Sequence, residues 1–340
     1  MPSTARTSPE LADALRRAEL WPGGAEPVLV RETHASTVLL TGDRAWKVRK
    51  PVRFAFLDYR DLAARHAAAL EEVRVNAELA PGTYLGVRPI VRAGEGFAVG
   101  EAGAEPPGTV EYVVEMRRFD ERDTLAERLR AGRVPEGRLA ELGAVLARFH
   151  AHATVAGGPP GGAAKALARL HRNMEDLVDL RGPEVPAAGP AVVARALEAA
   201  VLRDAGVHDA RARAGLRRDG HGDLRADHVV LDAEGLRIVD RLEFSRELRC
   251  DDVAADLAFL LADLEAHGGA WAARTVLDAY RAAGGDAGDD RLLAFWMGYR
   301  ALVSAKVAWL RAGQGGPDGA RGAARLALAH RCAWRTRLPL

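Results

Sequence analysis

The chain changes its periodicity once, near Met116, and that change limits the architectures open to it. Upstream lie short strand-like runs, at Pro27–Arg31, Thr37–Leu40, Arg44–Val48, Gly86–Val99 and Val110–Met116. The Thr41-Gly42-Asp43 turn predicts a hairpin from the second and third of these. A leading helical stretch, Leu11–Leu20, breaks at Trp21-Pro22-Gly23-Gly24. The helix among the strands is expected over Leu62–Leu79, with Leu62, His66, Ala69, Leu70, Val73 and Ala77 on its buried face and Pro81-Gly82 at its end. Downstream, the spacing predicts helices over Leu125–Leu129, Leu139–His152, Ala164–Leu180 and Ala191–Ala205. After a central hairpin they resume over Asp252–His267, Trp271–Ala283, Asp290–Ala312 and Arg321–Arg337, and Ala156–Ala164 is a short Gly/Pro/Ala-rich link. Strands followed by helices predict an α+β chain. Residues 1–116 would form a small antiparallel sheet lobe with one helix, and residues 117–340 a larger, mainly helical lobe. A cleft is expected at their junction, near Glu115–Asp120.

Of the 340 residues, 48% are hydrophobic and 28% charged, the balance of an ordinary globular protein with room for two lobes. A net charge of +1 gives no field for nucleic acid or an anionic membrane, and neither is expected as a partner. Cys250 and Cys332 have no metal-ligand spacing and suit a reduced, cytoplasmic setting. Met1–Glu10 lacks the pattern of a secretory signal, and the most apolar stretch, Val253–Leu264, is short and interrupted by Asp256 and Asp263. The expectation is a soluble monomer or weak homodimer.

Candidate chemistry concentrates in His221-Gly222-Asp223-Leu224-Arg225-Ala226-Asp227-His228. An apolar run, Val229–Leu231, follows, then a turn, then a second run ending at Asp240. A loop carboxylate and another a hairpin later can meet at one point. That suits a hydroxyl positioned by one acid and a metal-bound phosphate held through the other. Asp223 alone reads equally as a base or as a turn-forming acid after glycine; Asp240 shifts the balance towards function, because a pair of oxygen ligands suits Mg2+. Lys47, inside Ala45–Val48, either points inward towards phosphates or lies on the solvent side of a half-buried strand. Glu72 borders the apolar face of the next helix, where it would meet an inward Lys47, whereas Glu71 is expected in solvent. A lysine–glutamate pair joining strand to helix recurs in kinase sites. His150 reads as a hydrogen-bonded core residue.

His221-Gly222-Asp223-Leu224, then Asp240 after a short hairpin, then Asp252 and Asp256-Leu257-Ala258, resemble the aminoglycoside phosphotransferase and choline kinase superfamily, which has a protein-kinase-like two-lobe fold. More narrowly, the chain is similar to a bacterial subgroup of aminoglycoside phosphotransferase family enzymes. The likeness runs through Thr41-Gly42-Asp43 to Lys47, Lys50-Pro51-Val52, Phe56-Leu57-Asp58, Glu72 to Asn76, Ala80-Pro81 and Tyr84-Leu85. It continues through Glu243-Phe244, Leu248-Arg249, Asp252 to Leu260, Tyr299-Arg300-Ala301 and Lys306-Val307. The resemblance implies a small-molecule kinase that uses ATP and Mg2+ and moves the γ-phosphate to a hydroxyl of a sugar, amino sugar, aminoglycoside or related metabolite. In that pattern Lys47 contacts the α- and β-phosphates and is oriented by Glu72. The Thr33-His34-Ala35-Ser36-Thr37 turn, with Ser36 and Thr37, covers the phosphates, and Glu115, Met116 and Arg117 offer backbone hydrogen bonds to the adenine. Asp223 is the catalytic acid/base, Asp240 holds Mg2+, and Asp256 braces the catalytic loop.

Two residues depart from the pattern. Arg225 stands where a second histidine is usual, and His228 where a metal-binding asparagine is usual. Mg2+ prefers oxygen to imidazole. The metal position is therefore lost, supplied by Asp227, or taken by His228 with a softer ion. Arg225 either brings positive charge to the transferring phosphate, as a catalytic residue, or is an exposed loop arginine.

Acceptor sites of such kinases lie between the catalytic loop and the later helices, which makes Glu243, Arg249, Tyr299, Arg300 and Lys306 candidates. Glu243 suits an aminated acceptor, Arg300 and Lys306 an anionic one, and salt bridging between helices is the competing role for all five. Two other readings stay open. His228 motivates a nucleotide-binding pseudokinase or regulatory module. A metal-dependent hydrolase on His221, Asp223, Asp227 and His228 would need four ligands from eight residues and leaves Lys47 without a role.

Overall fold

Residues 8–24, 28–54, 57–157, 161–179, 185, 188–313 and 318–337 are described by a computed structural model. Pro27, Phe56, Leu180, residues 1–7 and residues 158–160 of the Gly/Pro/Ala-rich link lie outside them. The chain divides into two units. The first comprises Met1–Asp123 and Arg237–Arg246; the second comprises Thr124–Leu236 and Glu247–Leu340. The first thus runs past Met116 and takes back a short segment from far along the chain.

The first unit contains α1 (Pro9–Leu15), β1 (Leu29–Glu32), β2 (Ser36–Thr41), β3 (Arg44–Arg49), the two-residue strands β4 (Arg53–Phe54) and β5 (Leu57–Asp58), α2 (Leu62–Asn76), β6 (Tyr84–Ala93), β7 (Gly96–Val99) and β8 (Thr109–Arg117). Six strands form one antiparallel sheet in the order β1-β2-β3-β8-β6-β7. Side chains alternate across β3. Trp46 and Val48 join Leu39, Ile90 and Val113 in a core closed by Leu11, Leu15 and Trp21, whose ring stacks on Trp46 at 4.9 Å. The opposite face, carrying Lys47 and Arg49, is covered by α2, where Ala69 packs on Val87 and Val114.

The buried face of α2 keeps only part of the apolar stripe expected of it, with Ala69 buried, Val73 packed beside it and His66 stacked on Tyr112. Arg65, Ala69, Glu72, Val75 and Asn76 are buried, while Leu70 is 48% exposed and Ala77 lies open. The polar members of that face each find a partner. Arg65 Nε donates to both oxygens of Glu111 at 2.9 Å, and Asn76 Nδ2 donates to the Glu72 carbonyl at 2.9 Å. Buried polar groups must be paired, so these partners, rather than apolar area, fix the rotation of the helix.

The second unit contains α3 (Leu125–Arg130), α4 (Glu136–His152), α5 (Gly162–Asp179), α6 (Gly189–Arg203), α7 (Ala205–Arg213), β9 (Arg217–Asp219), β10 (Val229–Asp232), β11 (Gly235–Ile238), α8 (Arg246–Arg249), β12 (Cys250–Asp252), α9 (Val253–Ala266), α10 (Ala270–Ala282), α11 (Asp290–Gly313) and α12 (Gly319–Arg335). The chain passes into the first unit within β11 and returns at the start of α8. α7 and the β9–β12 pair, with Asp219 opposite Cys250, lacked a periodic signal. α9 is buried without a break from Val253 to Leu264 and packs on α10 and α11, while α4 lies along α10 and α12 along α11. Its run of apolar residues is thus a core helix. Among the described residues no helix is long and apolar enough to cross a membrane. An antiparallel sheet unit with a covering helix, followed by a helical remainder, is the α+β class expected of the sequence.

Candidate active site

In the first unit, β3 and α2 bring Lys47 and Glu72 together. Lys47 Nζ lies 2.7 Å from Glu72 Oε1 and 2.9 Å from Asp240 Oδ1, so the inward reading of this lysine is the one realised. Glu71 pairs instead with Arg74 on the open side of α2, at 2.6 Å. Arg49, the next residue on the Lys47 face of β3, had no assigned role, although alternation from Lys47 marks its position. Its Nη2 donates to Glu72 Oε2 at 2.6 Å, to Glu243 Oε1 at 3.0 Å and to the Ala68 carbonyl at 2.9 Å. Burial by itself opposes a charged lysine, but Asp240, Glu72 and Glu243 raise the Lys47 pKa well above its ordinary value. Burial first, and then the Glu72 charge, push Glu243 up. Tyr59, buried beside Glu243, is pushed up to about 12.

Asp240 is the most exposed of the three carboxylates, at 45% against 1% for Glu72 and 10% for Glu243. With all three ionised, they outnumber Lys47 and Arg49. An accessible hard-oxygen ligand in a cluster with excess negative charge fits a divalent cation such as Mg2+. Asp240 is also the only non-glycine residue with positive φ among the described residues, at 61°. Its N–H donates to Tyr84 Oη at 3.0 Å. On either side, Ile238 N–H donates to the Leu79 carbonyl at 2.8 Å and Arg241 N–H to Asn76 Oδ1 at 2.9 Å. These bonds fasten the segment to the α2 region and β6, and hold a conformation that aspartate adopts uncommonly.

In the second unit, the loop from His221 to His228 is suspended from α9. Asp256 accepts the backbone N–H groups of His221 and Gly222 at 2.7 and 2.8 Å, and Asp263 accepts that of Ala226 at 2.8 Å. The two acids are two helical turns apart and so share a face. His150 Nε2 lies 3.1 Å from Asp256 Oδ2 and Nδ1 lies 2.9 Å from Tyr280 Oη, the bonded core role expected of it. Burial alone would raise the Asp256 pKa, but His150, His221 and the backbone donors hold it well below the usual carboxylate range. Two glycines permit this loop. A Cβ at Gly220 would meet Asp256 Oδ2 at 2.8 Å, and Gly222 sits at φ 86°.

Asp223 is 31% exposed, and its N–H donates to His221 Nδ1 at 3.3 Å. Arg225 Nε lies 3.2 and 3.3 Å from its two carboxylate oxygens. The same guanidinium reaches His228 Nε2 through Nη2 at 2.8 Å, and His228 Nδ1 lies 2.8 Å from the Asp223 carbonyl. Arg225 is therefore bonded within the loop rather than an open surface arginine. Asp227 is 49% exposed, 3.9 Å from Arg225 Nη1.

Other expected positions differ. Ser36 and Thr37 lie in β2 rather than in the turn before it. Ser36 is buried and Thr37 Oγ1 donates to Glu32 at 3.0 Å, while Thr33 closes the turn by bonding to Ser36 O. Glu115, Met116 and Arg117 also lie in the sheet. They end β8, which has β3 on one side and β6 on the other. The Arg117 N–H donates to the Thr83 carbonyl at 2.8 Å, and Glu115 pairs with Arg44 and Arg88. Sheet pairing engages this stretch, and the chain leaves the sheet at Arg118. Three acceptor candidates are ion-paired, Glu243 with Arg49 of β3, Arg249 with Asp219 of β9, and Lys306 with Asp176 of α5 at 2.6 Å, and only the last joins two helices. Tyr299 and Arg300 are buried in α11, with the Arg300 guanidinium 4.7 Å from the Phe259 ring.

No protein-family model matches the chain. An uncharacterized protein of Mycobacterium tuberculosis is 35% identical over 306 residues, 88% of this chain; the chain spans 58% of that protein's length. A choline/ethanolamine kinase family protein from Mesorhizobium loti superposes with a TM-score of 0.54 at 16% identity, over 97% of this chain and 96% of that one. An amicoumacin kinase solved with AMP-PNP and Ca2+ gives a TM-score of 0.54 at 14% identity, over 98% and 95%. The chain has the protein-kinase-like two-lobe fold of these small-molecule kinases.

Proposed function

We propose that this chain is an ATP-dependent phosphotransferase that moves the γ-phosphate of ATP to a hydroxyl of a small molecule such as a sugar, amino sugar or aminoglycoside. The observation that carries the reading is Lys47 Nζ held between Glu72 and Asp240, at 2.7 and 2.9 Å. A lysine fixed in its charged form by two acids is suited to the α- and β-phosphates. The first unit would then bind nucleotide, and the second would carry the catalytic loop and the acceptor. Asp240 is the residue suited to hold Mg2+, which when bound offsets charge on the phosphates. Asp223 would orient the acceptor hydroxyl and take its proton, while Arg225 keeps positive charge beside it. Adenine contacts would fall beyond Arg117, where the chain has left the sheet. Positioning and preorganised charge would provide most of the acceleration.

Asp223→Ala is expected to abolish ATP-dependent transfer across a panel of sugars, amino sugars, aminoglycosides and nucleosides, with nucleotide binding nearly unchanged by calorimetry. Turnover retained in that variant would sink the assignment. One observation favours a second reading, a nucleotide-binding module without transfer: the Arg225 guanidinium already engages both Asp223 oxygens. ATP binding with no transfer to any acceptor would select it.

A further inference from the structure

The superfamily pattern sets a second divalent ion against the catalytic loop, at the position filled here by His228. His228 does not fit one, and Asp227, the oxygen ligand that could replace it, lies 3.9 Å from the Arg225 guanidinium, a fixed cation that opposes a second one. His228 is 8% exposed and both ring nitrogens are engaged. A guanidinium only donates, so Nε2 accepts from Arg225; a carbonyl only accepts, so Nδ1 carries the proton towards Asp223 O. An ion at Nε2 would strand an Arg225 N–H and stand beside a fixed cation. An ion at Nδ1 would displace the proton and take the donor from the Asp223 carbonyl. Neither nitrogen is the hard oxygen that Mg2+ prefers.

We infer that the loop takes no second divalent ion, and that Arg225, oriented by His228, supplies the fixed positive charge at that position. The planar fork of arginine suits the task, with Nε on the Asp223 carboxylate and Nη2 on the imidazole. The backbone sets the spacing. His228 N–H donates to the Arg225 carbonyl at 3.0 Å, closing a single 3-10 turn that Asp263 anchors through Ala226. His228 is a positioning residue in this scheme, and Arg225 does the electrostatic work.

The inference rests on the phosphotransferase reading, and one experiment separates the two. Electron paramagnetic resonance of Mn2+ titrated into the full chain, at saturating AMP-PNP, counts bound ions without turnover. One Mn2+ per chain is expected in the wild type. Two are expected in the double variant Arg225→His with His228→Asn, which removes the guanidinium and adds an amide oxygen. Two ions in the wild type would overturn the inference and leave the kinase reading standing. No AMP-PNP binding at all would overturn that reading, and this inference with it. A double variant that folds and still binds one ion would overturn the role given to this pair. In His228→Ala, kcat is expected to fall by roughly 10–100-fold with KM for ATP unchanged, because the guanidinium loses its orientation. An unchanged kcat would overturn the positioning role.

Discussion

At the scale of single residues, Asp240 couples strain to charge. Its left-handed backbone is held by Tyr84 and by neighbours fastened to Leu79 and Asn76, while its carboxylate meets Lys47. Asparagine tolerates the same backbone, so Asp240→Asn separates the two roles. It is expected to keep the melting temperature within a few degrees and to weaken Mg2+-dependent AMP-PNP binding by more than roughly tenfold. Calorimetry with and without Mg2+ reads this directly. An equal loss in both conditions would mean that Asp240 contributes through the fold and not through a cation. Glu72 was legible as a helix residue near an inward lysine. Alternation from Lys47 puts Arg49 on the same face of β3, but its partners, Glu72 and Glu243, are set by packing with residues distant in sequence.

At the scale of elements, α9 is both core and clamp. It buries Asp256 and Asp263 on one face and hangs the His221–His228 loop from them. The Asp256 carboxyl titrates near 4 in an unfolded chain (about 3.9) and well below that when folded. Its contribution to stability is thus complete above about pH 5 and is lost as pH falls through the folded value. Asp256→Asn is expected to cost about 3 kcal/mol at pH 7, with the gap to wild type closing as the solution is acidified. A gap that denaturant melts find independent of pH would rule out the charge as the source. In α2 the polar partners set the buried face, which places Leu70 outside and Ala69 inside. Leu70→Lys is expected to shift stability by about 0.5 kcal/mol or less, and Ala69→Leu to destabilise by about 1–3 kcal/mol through overpacking. A Leu70→Lys cost in urea melts as large as that of Ala69→Leu would return Leu70 to the buried stripe predicted by periodicity. Ala69 and Val73 keep their place on the predicted stripe while Leu70 and Ala77 leave it, because an apolar count does not register Arg65, Glu72 and Asn76 finding partners far away in sequence.

At the scale of the whole molecule, the first unit is discontinuous. Arg237–Arg246 supplies Asp240, Arg241 and Glu243 to Lys47, Asn76 and Arg49. A fragment ending at Asp123 would leave Glu72 and Asn76 buried without part of their network, and is expected to lose a cooperative thermal transition. Joining residues 237–246 to it through a flexible linker is expected to restore one. Near-ultraviolet circular dichroism compares the two, and equal cooperativity would show that the segment is not structural. Strand and helix order, the hairpin at Thr41-Gly42-Asp43, and the loop built on Gly222 and Asp223 were set by the sequence alone, because turn chemistry and periodicity are local. The tertiary structure decided the face of α2, the sheet pairing of residues 115–117, the return of Asp240 to the first unit, and the bonding of Arg225 to His228. Each depends on which distant group satisfies a buried polar atom, and local pattern does not encode that.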